Sequence, residues 1–170
     1  MALVITEFSA PWSASLRLLT IVAVLLLAAV MVLGLLVASQ QSRLLGLTMS
    51  ALPVLVLCGS LLCMVRGYVL TARHLEVRRL LWRTPLPIAG LDTVTAEPRA
   101  LRGSLRLFGN GGLFAITGWF WNRRIGRFRV YATDPQRAVL LRYRDGACVL
   151  VTPRDVQHFI LEVRRIANIL

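Results

Sequence analysis

Two apolar runs stand almost back to back near the start of the chain, Leu18–Ser39 and Leu44–Val65, each 22 residues long and free of charge. About 20 consecutive apolar residues cross the hydrocarbon of a bilayer as a helix, so each run is long enough to span. Only Gln40, Gln41, Ser42 and Arg43 separate them. So short a connection leaves room for a helical hairpin and little else, which puts the N-terminus and everything after Val65 on one side. The chain thus divides into a leading segment (residues 1–17), a hairpin (18–65, with helices over 18–39 and 44–65) and one further domain (66–170).

Charge is segregated from this oily part. Of the 20 basic residues, all arginine, 18 lie from Arg66 onward, against seven acids there. A guanidinium stays charged at any relevant pH and suits bidentate contact with phosphate or carboxylate, so the last domain presents a cationic surface. Arg66, Arg73, Arg78, Arg79 and Arg83 follow the second run within the roughly 20 residues over which the positive-inside rule is counted. Arg43 alone stands in the connection, and Arg17 precedes the first run. This bias predicts a multi-pass protein of the inner (plasma) membrane with both termini cytoplasmic. As a cleaved leader the first run would be long, since a signal core has about 7–15 apolar residues. Val37-Ala38-Ser39 is loosely cleavage-like, and removal there would leave one span of unchanged orientation.

Several chemistries are disfavoured. Neither run contains an ionisable residue of the kind that marks ion pathways and proton relays. Cys58, Cys63 and Cys148 form no CxxC pair, and with His74 and His158 they make no metal-ligand spacing, so they read as buried free thiols and isolated imidazoles. Gly109-Asn110-Gly111-Gly112 lacks the lysine and Ser/Thr of a nucleotide P-loop and reads as a tight hairpin or bulge. No catalytic residue, metal or cofactor is expected, and the chain does not read as an enzyme. Within the hairpin, Pro53 is a candidate kink, while Gly34, Ala38, Ser42, Gly59 and Ser60 are small surfaces for close helix contact.

From Gly67 the pattern changes to short alternating segments broken by glycine and proline, the mark of strands. Tyr68–Thr71 and His74–Trp82 form a hairpin that Pro85 and Pro87 interrupt, and Leu91–Ala96 is a further strand. Arg127–Thr152 reads as an antiparallel meander. Asp145-Gly146 as a two-residue turn places Tyr143 opposite Cys148 and Leu141 opposite Leu150. The preceding turn, Asp134–Arg137, sets Ala132 against Val139, Val130 against Leu141 and Phe128 against Tyr143. On the outer face Arg129 then opposes Arg142 and Arg127 opposes Arg144, an arrangement that calls for anionic compensation. Thr152-Pro153-Arg154-Asp155 opens a helix, with Thr152 as the capping hydroxyl. Val156, Phe159, Ile160, Val163, Ala167 and Leu170 form its apolar stripe.

Glycine and aromatic punctuation carries a resemblance. Arg106–Phe114, Gly118-Trp119-Phe120, Ile125-Gly126-Arg127-Phe128, Tyr131-Ala132-Thr133 and the block Val151–Asp155 with Phe159 beyond it resemble the bacterial pleckstrin-homology-like domain family, over roughly Tyr68–Ala167. The resemblance implies an α+β fold: a small barrel of about seven strands capped by a C-terminal helix, following the two-helix membrane hairpin. It implies no catalytic signature and carries no binding residue onto this chain.

The expected function is a membrane-tethered, noncatalytic binding module contacting anionic lipid headgroups or a protein partner. The alternative is a structural subunit that self-associates through the barrel or the hairpin. Candidate anion contacts are Arg127, Arg129, Arg142 and Arg144 with Arg123 and Arg124, and candidate interface aromatics are Trp119 and Trp121. The bilayer is the first partner, because anionic lipid is already adjacent and each basic residue near its surface contributes about 1 kcal/mol. Nucleic acid is a poor second for a membrane-anchored chain.

Overall fold

The computed structural model describes residues 4–40 and 43–169, so Gln41 and Ser42 of the expected connection lie outside the described residues. Helices α1 (Ala14–Gln40) and α2 (Arg43–Leu62) occupy the two apolar runs and pack along one another. Ser13 starts α1, its Oγ accepting from Leu16 N at 3.1 Å, which satisfies one of the donors a helix leaves open at its first turn. Gly34 is a tight crossing point: a Cβ there would stand 2.8 Å from Ser50 Oγ and 2.9 Å from Met49 Cβ. Gly59, by contrast, faces open space, and α2 runs on through Pro53. Leucines stay exposed around both helices, Leu25 at 64% and Leu55 at 68%. Helices apolar on every side and left exposed over most of their surface are unsuited to water, and both are long and apolar enough to cross a membrane.

The leading segment is joined to the domain that follows the helices. Strand β1 (Val4–Ser9) pairs antiparallel with β2 (Gly67–Thr71), with Ser9 opposite Gly67 and Val4 opposite Thr71. The start of α1 and the end of α2 are therefore held at one end of the helix pair. The hairpin of β2 with β3 (His74–Arg78) stands where the alternation predicts it, and β4 (Arg83–Pro87) completes a sheet of order β1-β2-β3-β4. Pro85 and Pro87 do not break the sheet as expected but sit in β4. That strand is an edge, where a missing N–H leaves no ladder bond unmade.

A second sheet contains β5 (Leu91–Ala96), β6 (Leu105–Leu113), β7 (Ala115–Asn122), β8 (Gly126–Ala132), β9 (Val139–Tyr143) and β10 (Cys148–Val151). Their spatial order is β5-β9-β10-β8-β7-β6. The α+β organisation matches the sequence reading, with β5 at its expected residues. Among the described residues the strands number ten, in two sheets that do not join into a closed barrel, where about seven in a small barrel were expected. One core lies between the sheets and helix α3 (Val156–Ala167), with Leu70, Leu75 and Val77 meeting Leu141, Val151 and Phe159. A second core covers the far face of the six-stranded sheet, where Phe120, Phe128, Val130 and Leu150 gather with Ala100 from the connection between β5 and β6. Buried Asn122 ties that connection down, donating to Ala100 O at 2.9 Å and Ser104 Oγ at 3.0 Å.

The meander departs from expectation in two ways. First, β10 enters between β9 and β8 and runs parallel to β8, with Val149 opposite Arg129 and Val151 opposite Tyr131. Strands β8 and β9 are therefore not neighbours, and Arg129 does not oppose Arg142 nor Arg127 Arg144. Second, the β9–β10 register is one residue off: Leu141 faces Val149 and Leu140 faces Leu150. The turn holds three residues, closed by Tyr143 N to Ala147 O at 2.9 Å, with Gly146 at φ 84°. That is the three-residue hairpin with a left-handed glycine. All four residues of β10 are buried, and a strand buried on both faces has no alternation to set its register.

Helix α3 begins one turn later than its expected cap. Asp155, not Thr152, is the N-cap and accepts from His158 N at 3.1 Å, while Asn168 closes the helix in the left-handed conformation. Thr152 is instead buried among the sheets, its Oγ1 accepting from Thr133 N at 2.9 Å. Phe159, Ile160 and Val163 of the expected stripe are buried.

Candidate anion-binding cleft

The β7–β8 register sets the site. Trp119 pairs with Arg129 and Trp121 with Arg127, so alternation puts all four on the sheet face that carries Tyr131. Arg127 leans diagonally and stacks its guanidinium 4.3 Å from the Trp119 ring centre, while that of Arg129 lies 5.8 Å from Trp119 and 5.2 Å from Tyr131. Arg79, from the β3–β4 turn, continues the series at 5.0 Å from Tyr131 and 5.7 Å from Trp82. Cations and rings thus alternate from Arg127 to Trp82. Each cation is attracted to a ring face by the ring's quadrupole and held without losing its charge.

Arg79 links this series to the helices. It donates from Nη1 to Cys63 O, just past the end of α2, and from Nε to Thr84 Oγ1, both at 3.2 Å. Among the described residues, neither Arg127 nor Arg129 takes part in an ion pair. The Tyr131 ring is buried with its hydroxyl unpartnered. Burial pushes its pKa up, opposed by the positive charges of Arg129 and Arg79, so it remains a neutral donor beside two cations.

An open cleft of about 500 Å³ lies over the Trp119, Arg127 and Arg129 end of this series. Leu86 and Pro87 of β4 form one wall, with Trp119, Arg127, Arg129 and Tyr143 opposite, and the Asp145 carboxylate of the β9–β10 turn also lines the cleft. The Tyr143 hydroxyl is also without a partner, and burial, helped by the charge of Asp145, pushes its pKa up to about 12. The two hydroxyls are buried, so what the cleft offers is guanidinium donor edges and an indole face, which can bind an anion that carries an apolar body.

The structure brings together only part of the expected site. Arg127, Arg129 and Trp119 line the cleft, whereas Trp121, 38% exposed, lines a separate depression with Arg123 and Arg124. Arg142 belongs to the opposite face of the sheet, because it alternates with the inward Leu141 and pairs with Cys148. Arg144 is in the β9–β10 turn, its backbone N bonded to Gly90 O at 2.9 Å. Arg123 and Arg124 form the β7–β8 turn, and Arg124 is neutralised by Glu97 at 2.6 Å. Arg79 and Tyr131 were not expected in the site. Arg79 arrives from another sheet, and no local pattern marks it; Tyr131 is legible only once the face of β8 is known.

The Bacterial PH domain family model matches residues 66–167. No curated protein and no solved structure matches the chain. The match begins at Arg66 and so leaves out β1, which adds an outer strand to the four-stranded sheet. With the matched segment covering well over half of the chain and containing both the open cleft and the closing helix, this protein belongs to the bacterial PH domain family.

Proposed function

We propose that this chain is a noncatalytic, membrane-anchored PH-like binding module, held by two spans with both termini cytoplasmic, whose cleft takes an anionic lipid headgroup of the inner leaflet. The observation that carries this reading is the pair Arg127 and Arg129, held by Trp119 in an open cleft and, among the described residues, in no ion pair, although Asp145 shares the lining. The same series of cations reaches the end of α2 through Arg79, which favours lipid over a soluble anion as the ligand. The arginine bias after the second span supports the cytoplasmic side. Assembly through the hairpin is the weaker reading, because Gly34 is already used against Ser50 and Met49 of the same chain.

The test is lipid retention by the full chain, read by native mass spectrometry after extraction from membranes containing phosphatidylglycerol and phosphatidylcholine. The wild type should retain phosphatidylglycerol selectively. Arg127→Gln with Arg129→Gln should remove about 2 kcal/mol of that preference, or roughly 30-fold in affinity, leaving phosphatidylcholine unchanged. Equal retention by the wild type and the double variant counts against the cleft as a headgroup site.

A further inference from the structure

We infer that the domain does more than hang from its spans: a rim made by Leu80, Leu81 and Trp82 at the β3–β4 tip and by Leu105, Leu107 and Phe108 of β6 is immersed at the headgroup–acyl boundary of the same bilayer. This rests on reading α1 and α2 as spans and is independent of any ligand in the cleft.

Register places the tip. Gly67 opposes Arg78 and Arg66 N donates to Arg78 O at 2.9 Å, so residues 79–82 run back alongside 63–66, toward the end of α2. The bond from Arg79 to Cys63 O fastens them there. Contacts place β6, which lies against both α1 and α2. Thr20 Oγ1 donates to Gly112 O at 3.3 Å and accepts from Phe114 N at 3.2 Å, and Leu19 fills the space a side chain at Gly112 would need. With a rise of about 1.5 Å per residue, Thr20 lies roughly 9 Å into α1. That is two residues past Leu18, where the charge-free stretch begins. The Gly112 end of β6 is therefore held at a depth where the adjoining helix is already apolar, and Phe108, Leu107 and Leu105 extend from it along the same edge strand, Phe108 about 13 Å away.

The side chains fit that depth. Leu81 is 74% exposed and Phe108 78%, and the other four are also exposed. In water such a tip, and such an apolar edge strand, would be an aggregation hazard. Here they continue the exposed apolar surface of the spans. Arg78 and Arg83 oppose each other at the base of the tip, paired with Glu7 at 3.0 Å and Glu76 at 2.9 Å, and Arg106 stands among the leucines of β6. Apolar points with cations behind them are the pattern of segments that settle in a membrane interface.

The experiment uses the full chain with Cys58, Cys63 and Cys148 replaced by alanine, in neutral phosphatidylcholine vesicles, so that failure of the headgroup reading does not touch it. Nitroxides are placed by Leu81→Cys, Phe108→Cys and, as a water-exposed control, Ala72→Cys in the β2–β3 turn at the far end of the sheet. Labels at 81 and 108 should collide several-fold more with oxygen relative to a water-soluble nickel chelate than the label at 72. In the chain with its native cysteines, quenching of tryptophan emission by brominated phosphatidylcholine should fall on Trp82→Phe. Collision ratios at 81 and 108 equal to that at 72, with no change in quenching, would overturn the inference. So would shielding from both reagents together with spin–spin broadening between chains, which would make a second copy the occupant.

Discussion

Ser9 and Gly67 face each other across an antiparallel pair although both helices lie between them in sequence. A Cβ on Gly67 would stand 2.7 Å from Phe8 O, so the two strands close on the smallest residue available. The helix pair is thereby clamped at its base by the sheet itself. Pro11 O accepts from Thr133 Oγ1 at 2.8 Å, and Ser13 N donates to Thr133 O at 3.1 Å, which fastens the lead into α1 as well.

The first prediction concerns that clamp. Phe8 is buried against Phe159, with ring centres 5.1 Å apart. Phe8→Ala should destabilise the domain by about 3–5 kcal/mol, seen as a lower denaturant midpoint for the full chain in detergent. An unchanged midpoint would show that β1 is dispensable to the core.

Tyr68 joins the two sheets: its hydroxyl donates to Tyr131 O at 2.6 Å and accepts from Thr152 N at 2.9 Å. Tyr68→Phe strands both backbone groups and should cost about 1–3 kcal/mol. Burial pushes the Tyr68 pKa from its ordinary 10.0 to about 12, against the lowering effect of its bonds with Thr152. Between those values the unfolded chain releases a proton that the native state keeps. The contribution is therefore complete below pH 10 and is lost as pH rises through 12, at about 1.4 kcal/mol per pH unit. Denaturant midpoints measured from pH 9 to 12 should fall, and less steeply in Tyr68→Phe.

Gly118 and Gly109 face each other in the β6–β7 pair at φ 134° and 118°. A Cβ at Gly118 would stand 2.1 Å from Phe108 O. Gly118→Ala combines a conformational and a steric penalty, together about 2–5 kcal/mol. Hydrogen exchange should speed up across residues 105–122 while β9 and β10 stay protected; uniform protection would refute it.

Orientation is checked with the same Ala72→Cys chain. A membrane-impermeant maleimide should label it in inverted vesicles and not in right-side-out vesicles or intact cells. Labelling from outside would reverse the assignment of the domain to the cytoplasm.

Local patterns carried the reading wherever one face met a different environment from the other. Strand β3 and the buried stripe of α3 follow alternation and helical period, while β2, buried along its whole length, was placed by its pairing with β3. The β9–β10 register did not, because Cys148, Val149, Leu150 and Val151 are apolar on both faces. The parallel entry of β10 beside β8 also has no local mark: it depends on where the connection through the short 3₁₀ turn Pro135–Arg137 leaves β9. That entry also separated Arg142 from Arg129.

By itself the sequence determined two long apolar helices, a cationic β-rich domain behind them and an amphipathic helix at the close, because hydrophobic length, charge and period are properties of contiguous residues. Tertiary structure alone decided that Val4–Ser9 belongs to the domain's sheet, that the sheets stay open over Trp119, and which arginines share that opening. Those outcomes depend on pairings between segments far apart in the chain, whose energies come from burial and backbone bonds that no single segment contains.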